Sequence, residues 1–250
     1  MTSKNPQPQN VNTLGELWKH ILGDVSGGRV LDIATAQGGF INVLTQNLKD
    51  HTRVTGVDVS ASFIHDARNA FEGQDVHFCL TDAGRVSFKD ASFYTVSLGV
   101  SLHHLADIPQ ALAEATRVLA SGGHFVLVEM HRDVLTEAQR TGVAIHHWRA
   151  EVDTALGIPH YSTLTRQEIV DLVAGLGLRD LAFYDWSDPH EDPKDEGTIA
   201  GIGSYIDKAI QDAQGLSDFE ALREQGEALR QRLQDVGAQN SPLLIAVGEK

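Results

Sequence analysis

The chain has 250 residues, with 20 lysines and arginines against 34 aspartates and glutamates and a formal net charge of −14. A phosphate-binding surface needs clustered cations to release counterions, and no stretch carries them, which argues against nucleic acid and an anionic membrane surface as partners. At 42% hydrophobic residues, the composition supports a real core and excludes general disorder.

The single cysteine, Cys79, lies in the apolar run from Val76 to Leu80 and is expected as a buried, reduced thiol. One cysteine leaves no internal disulfide and no cysteine-based zinc site. Met1 to Asn10 are polar, without the apolar segment of a secretory signal, and no run approaches the ~18 apolar residues of a membrane span. A soluble, cytoplasmic protein is expected.

Leu14, Leu17, Trp18, Ile21 and Leu22 recur at helical spacing and predict an amphipathic helix ending near Gly23, within a flank spanning residues 1–28. From Arg29, β-branched runs alternate with helical stretches: strands at 29–34, 53–58, 76–80, 93–98 and 124–130, and helices at 40–48, 61–71 and 109–119. That alternation predicts βαβ units and a parallel sheet, hence an α/β fold. A long helix at 136–156 then breaks the rhythm. Thr165 and Glu168 have capping-box spacing before another helix, and a strand follows at 178–186. A loop at 187–196, helices near 199–213 and 218–236, and a last strand at 243–247 complete the pattern. Segments 131–164 and 187–240 are therefore expected as helical cap insertions in a core domain spanning 29–250. An interruption that long should have a job.

The strand Val30 to Ile33 runs through Ala34-Thr35-Ala36-Gln37-Gly38 into a helix. Small residues let backbone approach a ligand, and the free N–H groups of a new helix face negative charge. In an open α/β sheet this turn lies at the carboxyl edge, where ligands bind. Asp58 ends the next strand, where a carboxylate can accept from both hydroxyls of a ribose, and Asp82 follows the third, within reach of an adenine amino group. A dinucleotide's pyrophosphate would want glycines where Ala34 and Ala36 stand, so a phosphate-free nucleoside fits better than NAD.

These residues resemble class I S-adenosylmethionine-dependent methyltransferases, in particular the small-molecule branch that includes quinone-biosynthesis enzymes. The resemblance runs from about Arg29 to Glu129. It rests on Asp32-x-Ala34-x-Ala36-x-Gly38, Asp58, Asp82-Ala83, the stretch Ser101 to Leu105, and the turn Arg117 to Gly123. It implies a Rossmann-like seven-stranded fold, S-adenosyl-L-methionine as cofactor and S-adenosyl-L-homocysteine as product. The implied cofactor contacts are Asp32, Ala34, Thr35, Ala36, Gly38, Asp58, Val59, Asp82, Ala83 and Gly99. Two departures stand out: Ala36 replaces a glycine that usually lies close to the cofactor, and Tyr94 stands where the family often has Asp. A Cβ at position 36 costs little if φ is negative and more if it is positive.

The implied reaction is in-line displacement at a sulfonium methyl, so the protein must align the acceptor and remove its proton. The Asn-Pro-Pro-Tyr sequence of nucleobase and amide methylating relatives is absent; Gly99 to His104 stands in its place, which points to a small-molecule acceptor. His103, just past the fourth strand, is a candidate base, while His104 reads as a packing residue. His147 and Glu151 lie four apart on one helix face, the spacing of a base with its orienting carboxylate or of a surface ion pair. His131, His146, His147, Glu151 and His160 raise the question of a metal, but no ligand spacing fixes a set and none is expected. Trp148, Tyr161, Tyr184 and Trp186 either line an acceptor pocket or belong to the core. Two other readings are a nucleoside-binding protein without turnover, motivated by Ala36, and a nicotinamide-dependent oxidoreductase.

Overall fold

The computed structural model describes residues 11–134 and 136–250, so the leader from Met1 to Asn10 lies outside the described residues. In chain order the elements are α1 (Leu14–Leu22), β1 (Arg29–Ile33), α2 (Gly39–Asn47), β2 (Arg53–Asp58), α3 (Ala61–Ala70), β3 (Val76–Leu80), β4 (Phe93–Gly99), α4 (Ile108–Val118) and β5 (Leu119–Met130). They continue with α5 (Glu137–Ala155), α6 (Arg166–Ala174), β6 (Arg179–Trp186), α7 (Glu196–Asp212), α8 (Phe219–Val236) and β7 (Leu243–Glu249).

Local chemistry accounts for the helix starts. Thr13 caps α1 through a reciprocal box with Glu16, and Thr136 caps α5 through the same device with Gln139. Ser60, Asp107 and Asp195 each place a side-chain oxygen on an amide of the first turn of α3, α4 and α7. Such caps contribute about 1 kcal/mol each.

The chain divides into two compact units: one comprises residues up to Glu129 with Gln167–Trp186 and Leu244–Lys250, the other Met130–Arg166 with Ser187–Leu243. The first carries a seven-stranded sheet in the order β3-β2-β1-β4-β5-β7-β6. Pairs β1–β2, β1–β4, β2–β3 and β4–β5 are parallel. The amide of Gly122 donates to the carbonyl of Lys250, and that of Lys250 to Gly123, while His131 N–H donates to Pro242; β7 thus runs antiparallel to β5. Pairing of Leu119 with Phe93 of β4, together with the bonds at Gly122 and Gly123, starts β5 at Leu119, ahead of the sequence expectation of 124. Val30, Leu31 and Ile33 are fully buried, as central parallel strands covered on both faces require.

Cys79 overturns the expectation of a buried thiol, because it is exposed. β3 is the edge of the sheet, and within it only Phe78 turns into the core. An edge strand with one covered face exposes the residue beside its core position, whatever the hydrophobicity of the run.

The second unit is helical. Ile145, Trp148 and Val152 of α5 pack with Ile206 and Ala209 of α7 and with Leu222 and Leu233 of α8. Trp148 is a core residue there, its indole N–H donating to the carbonyl of Leu222 at 3.0 Å. Tyr161 is exposed, and Tyr184 and Trp186 are half-buried on β6 of the first unit. Among the described residues no helix is long and apolar enough to cross a membrane.

Candidate active site

Three strand ends of the first unit are stitched together at the carboxyl edge of the sheet. Asp32, 1% exposed, receives hydroxyl hydrogen bonds from Thr35 at 2.6 Å and from Ser97 at 2.7 Å. Burial pushes its carboxyl up to about 6, against the two hydroxyl bonds and with a smaller push from the charge of Asp58. Thr35 N–H donates to the carbonyl of Val57, joining the loop after β1 to β2. Asp58 accepts the amide of Ala36 at 2.9 Å and that of Ser60 at 2.8 Å. Its carbonyl accepts Thr81 N–H, and Asp82 in turn accepts the amide of Gly84 at 2.7 Å, opening the short turn that contains Ala83.

The loop is left-handed where it has side chains: φ is +55° at Ala34 and +46° at Ala36. L-residues there cost about 1–2 kcal/mol each relative to their ordinary wells. Gly38, with φ +86°, starts α2, and a Cβ on it would lie 2.6 Å from Phe71 Cε2, so glycine is required on both counts. Beside Asp58, Val59 is 72% exposed; Leu80 and Phe63 at the ends of β3 and start of α3 are exposed as well. Apolar side chains left in the open at strand ends, next to carboxylates with further lone pairs, form a surface suited to a flat ring on a sugar.

At the neighbouring strand ends, Gly99 closes β4, and a Cβ there would meet Phe40 Cβ at 2.7 Å. Val100 follows with φ +49°, an outlier for a β-branched residue, held by its N–H to the carbonyl of Val128 at 2.7 Å. This strained residue turns the chain into the short 3-10 helix Leu102–His104. Glu129, 1% exposed at the end of β5, accepts Leu102 N–H at 2.6 Å through Oε2 and meets His103 Nδ1 at 3.0 Å through Oε1. His103 is buried and His104 exposed.

The first unit thus carries Asp32, Ala34, Thr35, Ala36, Gly38, Asp58, Val59, Asp82, Ala83, Gly99 and His103, all at or just past the carboxyl ends of β1 to β4. His147 and Glu151 belong to the other unit. His147 Nε2 faces Thr163, at 2.9 Å from the hydroxyl and 3.2 Å from the donating amide. Glu151 is exposed and makes no hydrogen bond or ion pair among the described residues, so the two do not form a base with its orienting carboxylate. Sequence reasoning missed Glu129 and Ser97. The signal for Glu129 was a lone acid closing the apolar run Phe125 to Val128; Ser97 gave none, since a serine in a buried strand is common.

Residues 31–127 match the family model described as a methyltransferase domain. A ubiquinone/menaquinone biosynthesis C-methyltransferase, UbiE, from Desulfotalea psychrophila is 34% identical over 125 residues, 48% of this chain and 50% of that protein. The chain spans about half the length of the curated relatives it matches. Among solved structures, the YcgJ protein of Bacillus subtilis superposes with a TM-score of 0.59 at 19% identity, covering 94% of this chain and 97% of that one. A phosphoethanolamine N-methyltransferase of Haemonchus contortus, in complex with S-adenosylhomocysteine, superposes at 0.56 with 18% identity, covering 98% and 54%. These structural likenesses speak to the fold, and the sequence match to the segment that carries the strand-end site. Residues 31–127, which carry the strand-end site, are thus similar in sequence to a methyltransferase domain, on a fold shared with these solved structures.

Proposed function

We propose that the chain is an S-adenosyl-L-methionine-dependent methyltransferase acting on a small-molecule acceptor. The observation that carries this reading is the continuous stitching of Asp32, Thr35, Ala36 and Asp58 into one braced edge beside the exposed Val59. The residues present fit the nucleoside. Asp58 holds the ribose hydroxyls, Val59 flanks the adenine ring, Asp82 and Ala83 take its edge, and the loop from Ala34 to Gly38 receives the amino-acid portion. Asp32, turned inward to Thr35 and Ser97, braces this loop from behind. Gly38 and Gly99 keep the backbone close.

When bound, the sulfonium cofactor supplies an activated methyl group; the remaining task falls to the protein. The Glu129 carboxylate on Nδ1 of His103 orients the ring and fixes which nitrogen carries the proton. His103 takes the acceptor's proton, and the buried charge of Glu129 stabilises the imidazolium that results. The name shared by several relatives, ubiquinone/menaquinone biosynthesis C-methyltransferase, supports a small molecule as acceptor. So does the absence of the Asn-Pro-Pro-Tyr sequence after β4. A second reading, binding without turnover, draws on the positive φ of Ala34 and Ala36 at the loop that would carry the cofactor.

The test is methyl transfer from isotope-labelled S-adenosyl-L-methionine into the low-molecular-mass fraction of a cell extract. Label in small molecules, lost in His103→Gln while S-adenosyl-L-homocysteine binding persists, is the expected result. Binding with no labelled product from any fraction would favour the second reading, and label in nucleic acid would contradict the acceptor class.

A further inference from the structure

The second unit holds a cavity of about 260 Å³ lined wholly by its own residues. Ile145 of α5, Ile202 of α7 and Ala238, just past α8, supply apolar wall. Thr198, Ile202 and Tyr205 line it from one face of α7, as spacings of four and three residues require. On α5 the border includes Gly142, where a Cβ would lie 2.4 Å from the carbonyl oxygen of Gln239. Glycine there lets the segment after α8 lie against the helix.

That segment positions a charge. Glu191, half-buried, is the only acidic residue lining the cavity among the described residues, and no lysine or arginine lines it. The Asn240 backbone amide donates to its two carboxylate oxygens at 3.0 and 3.1 Å, and the Asn240 side-chain amide donates to the first at 2.7 Å. Gln239 Nε2 donates to the Glu191 carbonyl at 2.8 Å. These bonds fix the carboxylate from one side, and a group with about four lone-pair positions is not exhausted by one partner residue. The Asn240 side-chain carbonyl and the Ser241 and Tyr205 hydroxyls, on residues that also line the cavity, accept nothing among the described residues. Burial pushes the Tyr205 hydroxyl up, so it adds no charge.

We propose that this cavity binds a small apolar cation, a protonated amine on a body of about one ring, with its ammonium group on Glu191. The isoleucines and Ala238 take the apolar body. An ammonium group has three N–H donors, which the carboxylate, the Asn240 carbonyl and the hydroxyls can share, so the charge is not desolvated without partners. In a partly enclosed site the effective dielectric falls below that of water and strengthens the pairing, and the chain's net charge of −14 draws cations toward it. An anion would meet the carboxylate with no basic residue to offset it. A bare metal ion would leave the apolar wall unused.

Benzylamine, protonated at neutral pH, is the probe, titrated calorimetrically into the full chain with no S-adenosyl compound added, beside its uncharged counterpart benzyl alcohol. Benzylamine should bind at one site and more weakly as sodium chloride is raised, and benzyl alcohol should bind about tenfold more weakly or worse. Glu191→Gln keeps an oxygen for the Asn240 amides and should weaken benzylamine by about tenfold or more while leaving benzyl alcohol unchanged. Ile202→Trp, which adds bulk from a half-buried position on α7, should bind neither; circular dichroism checks the fold of both variants. No binding of benzylamine by the wild-type chain, equal affinity for the two compounds, or undiminished benzylamine binding in either folded variant would overturn the proposal. Because no cofactor is present, failure here leaves the methyltransferase reading standing, and failure of that reading leaves this one.

Discussion

Glu129 and His103, 26 residues apart in sequence, lie 3.0 Å apart between carboxylate and imidazole, both almost fully buried. A charge so placed is held there by the Leu102 amide on its second oxygen, and it fixes which ring nitrogen carries the proton. Glu129→Gln keeps the shape but removes the charge and lets the amide donate to Nδ1, inverting the tautomer. Turnover should fall about 10²-fold or more with KM for S-adenosyl-L-methionine little changed, and the pH–rate profile should shift. Steady-state kinetics on the variant check this; a matching loss of cofactor affinity would mean that Glu129 supports only the fold.

Asp32 makes stability depend on pH in a defined direction. Its folded value is raised from 3.8 to about 6, so as pH rises the unfolded chain gives up the proton first. The folded state is therefore penalised progressively between those values, and at neutral pH the whole cost of about 3 kcal/mol is present. Asparagine cannot ionise, and its amide can still pair with the Thr35 and Ser97 hydroxyls. Urea unfolding at a series of pH values should show wild-type stability falling by that order relative to Asp32→Asn between pH ~4 and ~7. Parallel curves would show that the carboxyl ionises normally in the fold.

Ala36 accepts a conformation that glycine adopts freely. Ala36→Gly should raise stability by about 0.5–1 kcal/mol, because relief of the left-handed strain exceeds the extra entropy of the unfolded glycine. The same change at Ala115, a fully buried residue of α4, should cost at least 1 kcal/mol. Thermal melts of the two variants distinguish local backbone strain from a general effect of glycine; equal destabilisation would remove the strain argument.

The alternation of apolar runs placed the strands and helices to within a few residues, because strands buried on both faces read as continuous Val, Ile and Leu, and capping residues such as Thr13 and Thr136 mark their own helices. The carboxyl-edge acids were legible for the same reason: each follows directly on a strand. What the sequence did not disclose depends on neighbours brought from afar. Cys79 is exposed because, among the described residues, β3 has no strand beyond it, a property of sheet order rather than of the run it sits in. Ser97 meets Asp32 through strand pairing, and Glu129 meets His103 because β5 lies beside β4. His147 and Glu151, suggestively spaced, are parted by local packing: Thr163 takes the imidazole and solvent takes the acid.

The central claim is that the strand-end carboxylates hold a phosphate-free nucleoside, and calorimetric titration with S-adenosyl-L-homocysteine tests it most directly. The wild-type chain should bind at one site, NADH should not bind, and Asp58→Ala should lose about 2–3 kcal/mol of affinity, the worth of hydrogen bonds to a charged group. Because that variant also frees the amides of Ala36 and Ser60, its folding is checked by circular dichroism. No binding by the wild-type chain, or undiminished binding by a folded Asp58→Ala, would contradict the account.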